Sequence, residues 1–248
     1  MVELFGARYY DARTSVWQSP DPLITGSYLD GEPNGGVRNS MNLAVYNYSR
    51  LNPINRVDPD GLADIFIGGF WDDSTGIVKY FEKSYAKNHP NTLVKYFEWH
   101  DKQDILNYIE NLPEGEPINI IGHSYGAHTG AQVAEKSKRK INLLITIDPV
   151  GQRKVNESFI ENVKTWLNIK AKPKDEDRDF SDTIAGIGGK GGTLPTGKAT
   201  MSYESKMNHG YFQSMMNEKG PSGKSASDVL RSNSVERIRD VDMAETSQ

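Results

Sequence analysis

The sequence predicts an α/β fold, a mostly parallel sheet with helices on both faces, preceded by a turn-rich β segment. Three observations carry this reading. From Ala63 onward, short apolar runs alternate with stretches whose apolar residues recur at helical spacing, the pattern of repeated βα units. Single helix-length stretches separate successive runs, so consecutive strands must lie parallel, with their crossover helices covering the sheet. Before Gly61 the pattern differs: FGARYYDARTSVWQSPDPL and NLAVYNYSRLNPINRVDPDGL are rich in turn formers and tyrosines and have little helical periodicity. The chain is therefore read as two segments, 1–62 and 63–248.

Within the second segment, Ile65 to Ile67 is a short strand running into Gly68-Gly69. Val78, Phe81 and Tyr85 mark a helix that ends before Pro90, because proline cannot continue one. Leu93 to Trp99 is a second strand, and Asp104 opens a helix with Ile105, Leu106, Ile109 and Leu112 on one face. Ile118 to Ile121 is a third strand, followed by a helix from Tyr125 to about Lys138. Leu143 to Ile147 and Val163 to Ile169 read as a fourth and a fifth strand. Lys172 to about Ser205 is polar and glycine-rich, and beyond Asn217 a solvated tail with one short helix is expected.

Composition narrows the function. A net charge of -4 with scattered Lys and Arg argues against nucleic-acid binding, which needs a clustered basic face. The one cluster, Lys136, Lys138, Arg139 and Lys140, falls where a helix should end and complements its dipole. The absence of cysteine excludes disulfides, thiolate metal sites and cysteine nucleophiles. No apolar stretch reaches membrane-spanning length and no signal-peptide pattern follows Met1, so export is expected to depend on another carrier. The hydrophobic share of 36% fits a good core in part of the chain, diluted by polar segments elsewhere.

Chemistry enters at NIIGHSYGAHTG, Asn119 to Gly130. A Gly-x-Ser-x-Gly pattern arises by chance in roughly one chain in six of this composition, so its context must decide. Here an apolar strand precedes Ser124 and a run of small residues follows it. A serine on a sharp strand-to-helix turn exposes its hydroxyl at the carboxyl end of the sheet. Gly122 and Gly126 permit the turn, while Gly126, Ala127, Gly130, Ala131 and Ala134 give the next helix a thin face toward the sheet.

A serine hydroxyl needs a base, and the base needs an orienting acid. Asp148 stands directly after the fourth strand, where a later parallel strand would deliver an acid to the same end of the sheet. Of five histidines, His89 precedes a proline, His100 comes before the serine in the chain, and His123 and His128 are bound into the turn and its helix. His209, in KMNHGYF, follows Asp148. The catalytic candidates are thus Ser124, Asp148 and His209, in that chain order. An oxyanion hole would take its donors from the amides of Tyr125, at the helix N-terminus, and Phe70, after Gly68-Gly69. GIGGKGG, Gly186 to Gly192, lacks a P-loop ending and reads as a mobile loop at the mouth of the site. Asp72 and Asp73 read as a charged helix N-terminus rather than a cation site. Trp71, Trp99, Tyr125 and Phe212 would suit an apolar acyl pocket. This chemistry needs no metal or cofactor, and none is expected.

Two resemblances extend the reading. Phe5-Gly6-Ala7-Arg8-Tyr9-Tyr10-Asp11, Ser19-Pro20-Asp21-Pro22, Asn52-Pro53 and Val57-Asp58-Pro59-Asp60-Gly61-Leu62 resemble the end of the core of Rhs (YD-repeat) proteins. That resemblance covers about the first quarter of the chain. It implies a β-shell around a C-terminal toxin, released by autoproteolysis through paired aspartates, here Asp58 and, less closely matched, Asp21. The Asp21 motif reads Asp-Pro-Leu-Ile without the usual glycine, and its distance from the second motif is longer than usual. From Ile65 to Met216 the chain resembles lipases and esterases of the α/β-hydrolase fold. Together the two imply a secreted antibacterial toxin of phospholipase type, acting on the membrane lipids of a target cell, in its periplasm or at its membrane. They also imply a cognate immunity protein and the remainder of the Rhs shell as partners. A small-ester, thioester or amide hydrolase shares the same chemistry, and a binding module that kept the turn is the alternative from outside the enzymes.

Overall fold

The computed structural model describes residues 2–5, 8–11 and 16–17 as backbone strands, and 63–89, 92–112, 116–189 and 194–232 in full. The chain divides into two compact units: Met1–Gly61 with His89–Thr92 and Pro113–Glu116, and Leu62–Asn88 with Leu93–Leu112 and Pro117–Gln248. In the first unit, β1 (Val2–Phe5), β2 (Arg8–Asp11) and β3 (Val16–Trp17) form an antiparallel meander in which Glu3 pairs with Tyr10 and Tyr10 with Trp17. Asp21 and Asp58 lie outside the described residues.

The second unit is built on a six-stranded sheet, in which every pairing is parallel. Its strands are β4 (Ala63–Ile67), β5 (Leu93–Phe97), β6 (Ile118–His123), β7 (Ile141–Ile147), β8 (Val163–Ala171) and β9 (Met201–Ser205), ordered β5-β4-β6-β7-β8-β9. The chain steps outward from β4 to β5, returns past β4 to β6, and then proceeds in one direction. Loops leaving β4 and β6 therefore diverge and open a crevice at their carboxyl ends, the usual ligand position in such sheets.

Alternation along the strands feeds two apolar layers. Ile65, Ile67, Ile120, Leu144 and Trp166 pack with Ile105 and Ile109 of α3 (Lys102–Asn111) and Ala131 and Ala134 of α4 (Tyr125–Lys136). Phe66, Ile121, Ile145 and Leu167 pack with Val78 of α2 (Ile77–Asn88) and with Phe212 and Met215 of α6 (Phe212–Asn217). Helices thus cover both faces, as the sequence predicts. Nucleophile-type turn after β6, acid after β7 and histidine after β9 give this unit the α/β-hydrolase arrangement.

Two expectations are corrected. The stretch from Lys172 to Ser205 contains α5 (Phe180–Ile187) and the edge strand β9. In β9 only Met201 and Tyr203 pack on the core, too few to mark a strand by periodicity. Beyond Asn217 the expected short helix is present at 226–232, but it is not solvated: Ala226, Val229 and Leu230 are buried. Three apolar residues at i, i+3 and i+4 suffice to anchor one turn, although their polar neighbours hide the signal.

The close approach of α4 to β4 gives a stability prediction. A β-carbon on Gly126 would stand 2.3 Å from the Ile67 carbonyl and 2.4 Å from that of Gly68, whereas one on Gly186 would meet nothing within 4 Å. Gly126→Ala should therefore lower stability by about 3 kcal/mol or more, the upper range of overpacking costs. Gly186→Ala, inside α5, should be neutral or stabilising by up to about 1 kcal/mol. Urea unfolding of the two variants beside the parent checks both.

Candidate active site

Ser124 joins β6 to α4 with φ 55° and ψ -124°, a strained conformation for a residue with a side chain. The turn is fixed by backbone: Ser124 donates its amide to the Ile147 carbonyl at 3.0 Å, and its carbonyl accepts from Ala127 and Val150, each at 3.1 Å. Gly122 is required because a β-carbon there would sit 2.5 Å from the Gly126 carbonyl and 2.6 Å from Ala127. Gly69 is required from the other side, since its β-carbon would lie 2.9 Å from that of Ser124. The loop leaving β4 is therefore pressed directly against the serine.

Asp148 follows β7, fully buried, with φ 41°. Its amide donates to the Ile169 carbonyl at 2.7 Å, and one of its carboxylate oxygens accepts from the Ala171 amide at 2.9 Å. The other oxygen is 2.6 Å from His209 Nδ1, and His209 Nε2 is 3.0 Å from Ser124 Oγ. A carboxylate only accepts, so the ring proton lies on Nδ1 and the bare Nε2 faces the serine hydroxyl. The structure thus brings together the three residues that sequence reasoning selected. The arrangement can move a proton from Ser124 Oγ to an imidazole whose orientation and charge Asp148 stabilises.

His209 comes from the loop after β9 and is held on two sides. Its amide donates to Asp182 Oδ1 at 3.1 Å, and the Gly210 amide donates to Ser181 Oγ at 2.9 Å, both on α5. Asp182 also accepts from the Asp179 amide and completes a capping box with it, so one carboxylate both starts the helix and positions the histidine. On the other side, His123 Nε2 donates to the His209 carbonyl at 2.7 Å, with the two rings 4.8 Å apart. Burial, then the neighbouring His209, pull the His123 pKa down to about 3, so His123 stays neutral and remains a donor. His123 is thus not bound away from the site, as its place in the turn implied. It is the neighbour that orients the base. For Asp182 a signal existed: Asp179-x-x-Asp182 before an apolar run is a capping pattern.

The amide of Tyr125 is the first of α4 and has no acceptor within the helix, as an oxyanion donor requires. Phe70 follows Gly69, whose contact with Ser124 brings the loop alongside. The next residue, Trp71, has φ 68°. Trp71, Ser124 and Asp148 are the non-glycine residues with positive φ among those described, and all three stand in loops at this end of the sheet. The rings of Phe70, Trp71, Trp99 and Tyr125 pack together, with Trp99 and Tyr125 at 5.3 Å. Phe212 does not join them: it is fully buried, edge-on to Phe81 and against the back of His123. Its place on α6, turned toward the sheet, removes it from any pocket. Gly186 belongs to α5, and 190–193 lie outside the described residues.

Other polar groups have different duties. His128 donates to the Arg153 carbonyl at 2.6 Å, and burial lowers its pKa. His100 is exposed beside Asp101. Asp72 accepts from the amides of Val78 and Lys79 and from the Tyr96 hydroxyl, so it caps α2 rather than its own short helix α1 (Asp72–Thr75). Among the described residues no three His, Cys, Asp or Glu side chains are placed to hold a metal.

The depressed pKa of His123 sets a pH dependence. The unfolded chain takes up this proton below about pH 6.5, while the folded protein resists it until about pH 3. The stabilisation is therefore complete above about pH 6.5 and is lost progressively as pH falls toward 3, amounting to on the order of 2 kcal/mol at pH 5. Urea unfolding at pH 8 and pH 5 should show this loss in the parent, and His123→Gln, which keeps a donor but does not titrate, should lose correspondingly less.

No protein-family model and no curated protein matches the sequence. Among solved structures, the chain is similar to Est1E from Butyrivibrio proteoclasticus, at 11% identity and TM-score 0.44, over 79% of this chain and 93% of that one. It is also similar to Zea mays acyl-protein thioesterase 2, at 13% identity and TM-score 0.38, over 70% of this chain and 94% of that one.

Proposed function

We propose that this chain is a serine hydrolase of esters, with membrane lipids as its substrates. The observation that carries the catalytic reading is the hydrogen-bonded series from Ser124 Oγ through His209 to Asp148, at 3.0 Å and 2.6 Å, begun on a serine with positive φ. Ser124 Oγ attacks the ester carbonyl as its proton passes to His209 Nε2, and Asp148 stabilises the resulting imidazolium. The tetrahedral oxyanion is met by the amides of Tyr125 and Phe70. Collapse expels the alcohol, which takes the proton from His209 and leaves an acyl-serine. Water, giving a proton to the same nitrogen, then attacks the acyl carbonyl and releases the acid and the serine.

Lipid as substrate is supported by exposed apolar side chains on the segments that hold this site. Phe70, Trp71, Phe180, Ile187 and Tyr211 are 47%, 49%, 73%, 77% and 52% exposed. They stand on the loop after β4, on α5, and on the turn after His209. These parts meet around the serine: Tyr125 packs on Phe70 and donates its hydroxyl to the Gly188 carbonyl at 3.1 Å, and Gly210 is tied to Ser181. Apolar side chains grouped at the edge of a site mark a contact surface, unlike isolated exposed ones. A phospholipase-type toxin delivered to a target cell is the physiological role proposed, resting on the resemblance of the first segment to the end of Rhs cores.

A fluorophosphonate should label the protein once, at Ser124. Ser124→Ala and His209→Ala should each lower ester hydrolysis by about a thousandfold or more, since nucleophile and base act as a unit. Production of 63–248 in the bacterial periplasm should be toxic, and Ser124→Ala should relieve it. Toxicity that survives the substitution would support a binding or pore-forming activity instead.

The exposed apolar side chains have their own test. Phe180→Asp and Ile187→Asp should reduce hydrolysis of phosphatidylcholine vesicles about tenfold or more while leaving a soluble p-nitrophenyl ester nearly unaffected, because burying a charge at the lipid surface is costly. With a net charge of -4 there is no electrostatic pull to anionic lipid, so association with vesicles should change little between low and high salt.

A further inference from the structure

Beyond the triad, a cleft of about 340 Å³ opens at the residue following Ser124. One wall is a single face of α4: Tyr125, His128, Thr129 and Gln132 line it, at i, i+3, i+4 and i+7. At the helical rise this wall extends for roughly 10 Å away from the elbow. Trp99 borders the cleft at its Tyr125 end, and the Trp99 carbonyl accepts from Thr129 Oγ1 at 2.6 Å. That bond fixes the aromatic wall to the helix.

Charge is the distinguishing feature. Lys102, at the start of α3, and Arg153, in the loop after β7, both line the cleft, and among the described residues no Asp or Glu does. The Lys102 ammonium donates to Gln132 Oε1 at 3.3 Å, which leaves further N–H groups for another acceptor. Among the described residues neither Lys102 nor Arg153 pairs with a carboxylate. His100, which also borders the cleft, faces Asp101 at 3.5 Å. His128 fixes the Arg153 backbone through its carbonyl, so the loop bearing the guanidinium is tied to α4. An otherwise acidic protein thus places two uncompensated cations along one groove that starts beside its candidate nucleophile.

We propose that this groove is a phosphate subsite, in which Lys102 and Arg153 receive a phosphate carried by the ester substrate within about 10 Å of the scissile carbonyl. The inference deepens the hydrolase reading above and rests on it for the position of the carbonyl. Trp99 and Tyr125 would flank the chain linking ester to phosphate. A point-charge ammonium and a forked guanidinium suit the several acceptor oxygens of a phosphate.

Two measurements test it. The first compares kcat/KM on dihexanoyl phosphatidic acid with that on dihexanoylglycerol, below their aggregation limits, in the parent and in Lys102→Gln/Arg153→Gln. The preference for the phosphorylated ester should fall about tenfold or more in the double variant, a typical consequence of losing two charge-assisted contacts. Repeating the comparison with 6-phosphohexyl hexanoate against hexyl hexanoate identifies the source: a larger fall on the lipid pair assigns a lipid headgroup, and an equal fall assigns phosphate esters in general. The second measurement needs no catalysis. Glycerol 3-phosphate should shift the Trp99 indole NMR signal of the Ser124→Ala protein, and the added double substitution should abolish that shift. An unchanged preference ratio, or an indole signal that glycerol 3-phosphate does not move, overturns the subsite. Loss of all ester hydrolysis from the parent, with the indole shift intact, would instead refute the hydrolase reading and leave the phosphate site standing.

Discussion

The start of α4 lies so close to the end of β4 that a β-carbon on Gly126 would enter the carbonyls of Ile67 and Gly68, and the candidate site depends on this contact. It brings the first amide of α4 beside the loop after β4, so that two backbone donors from segments far apart in sequence can face one point. It also leaves Ser124 no relaxed backbone conformation. Its φ of 55° is maintained because its amide and carbonyl are both bonded to the loop structure around β7. Relaxing the turn would break those bonds and draw the hydroxyl back from the crevice.

Strain of this kind recurs nearby. Trp71 and Asp148 also have positive φ, each at the exit of a neighbouring strand. Such conformations persist where surrounding packing determines them more strongly than local preference does. Here the packing is that of β4, β6 and β7, buried from both sides. The rigid interior thus supports three unfavourable turns, and in return Ser124, Asp148 and the loop after β4 are held in fixed positions.

The candidate base is held differently. His209 sits on a loop after an edge strand, and its backbone is tied to Asp182 on one side and His123 on the other. Both ties are directional hydrogen bonds to main-chain atoms, so they set the position of the ring. The neutrality of His123 matters for this. An imidazolium packed on the His209 ring would oppose the positive charge that the proposed mechanism places on His209. Burial keeps that charge away. Because α5 supplies Ser181 and Asp182 to the histidine loop on one edge and exposes Phe180 and Ile187 on another, a contact at the surface bears on the same helix that positions the base.

Sequence alone determined the alternation of strands and helices from Ala63 to Ile169, because long buried strands and one-sided helices impose strong periodicities. It also selected Ser124, Asp148 and His209, since the glycines around Ser124, the strand before Asp148 and the chain order leave few alternatives. It did not reveal β9, α5 as a helix or the burial of the helix at 226–232, whose few apolar residues carry almost no periodic signal. Nor could it assign His123, Asp182, Lys102 or Arg153. Their roles follow from partners 27 to 86 positions away in sequence or from a shared groove, and no local pattern encodes which distant groups a parallel sheet brings together. Only the tertiary structure decided those, because the order in which strands pair fixes which loops share the carboxyl end of the sheet.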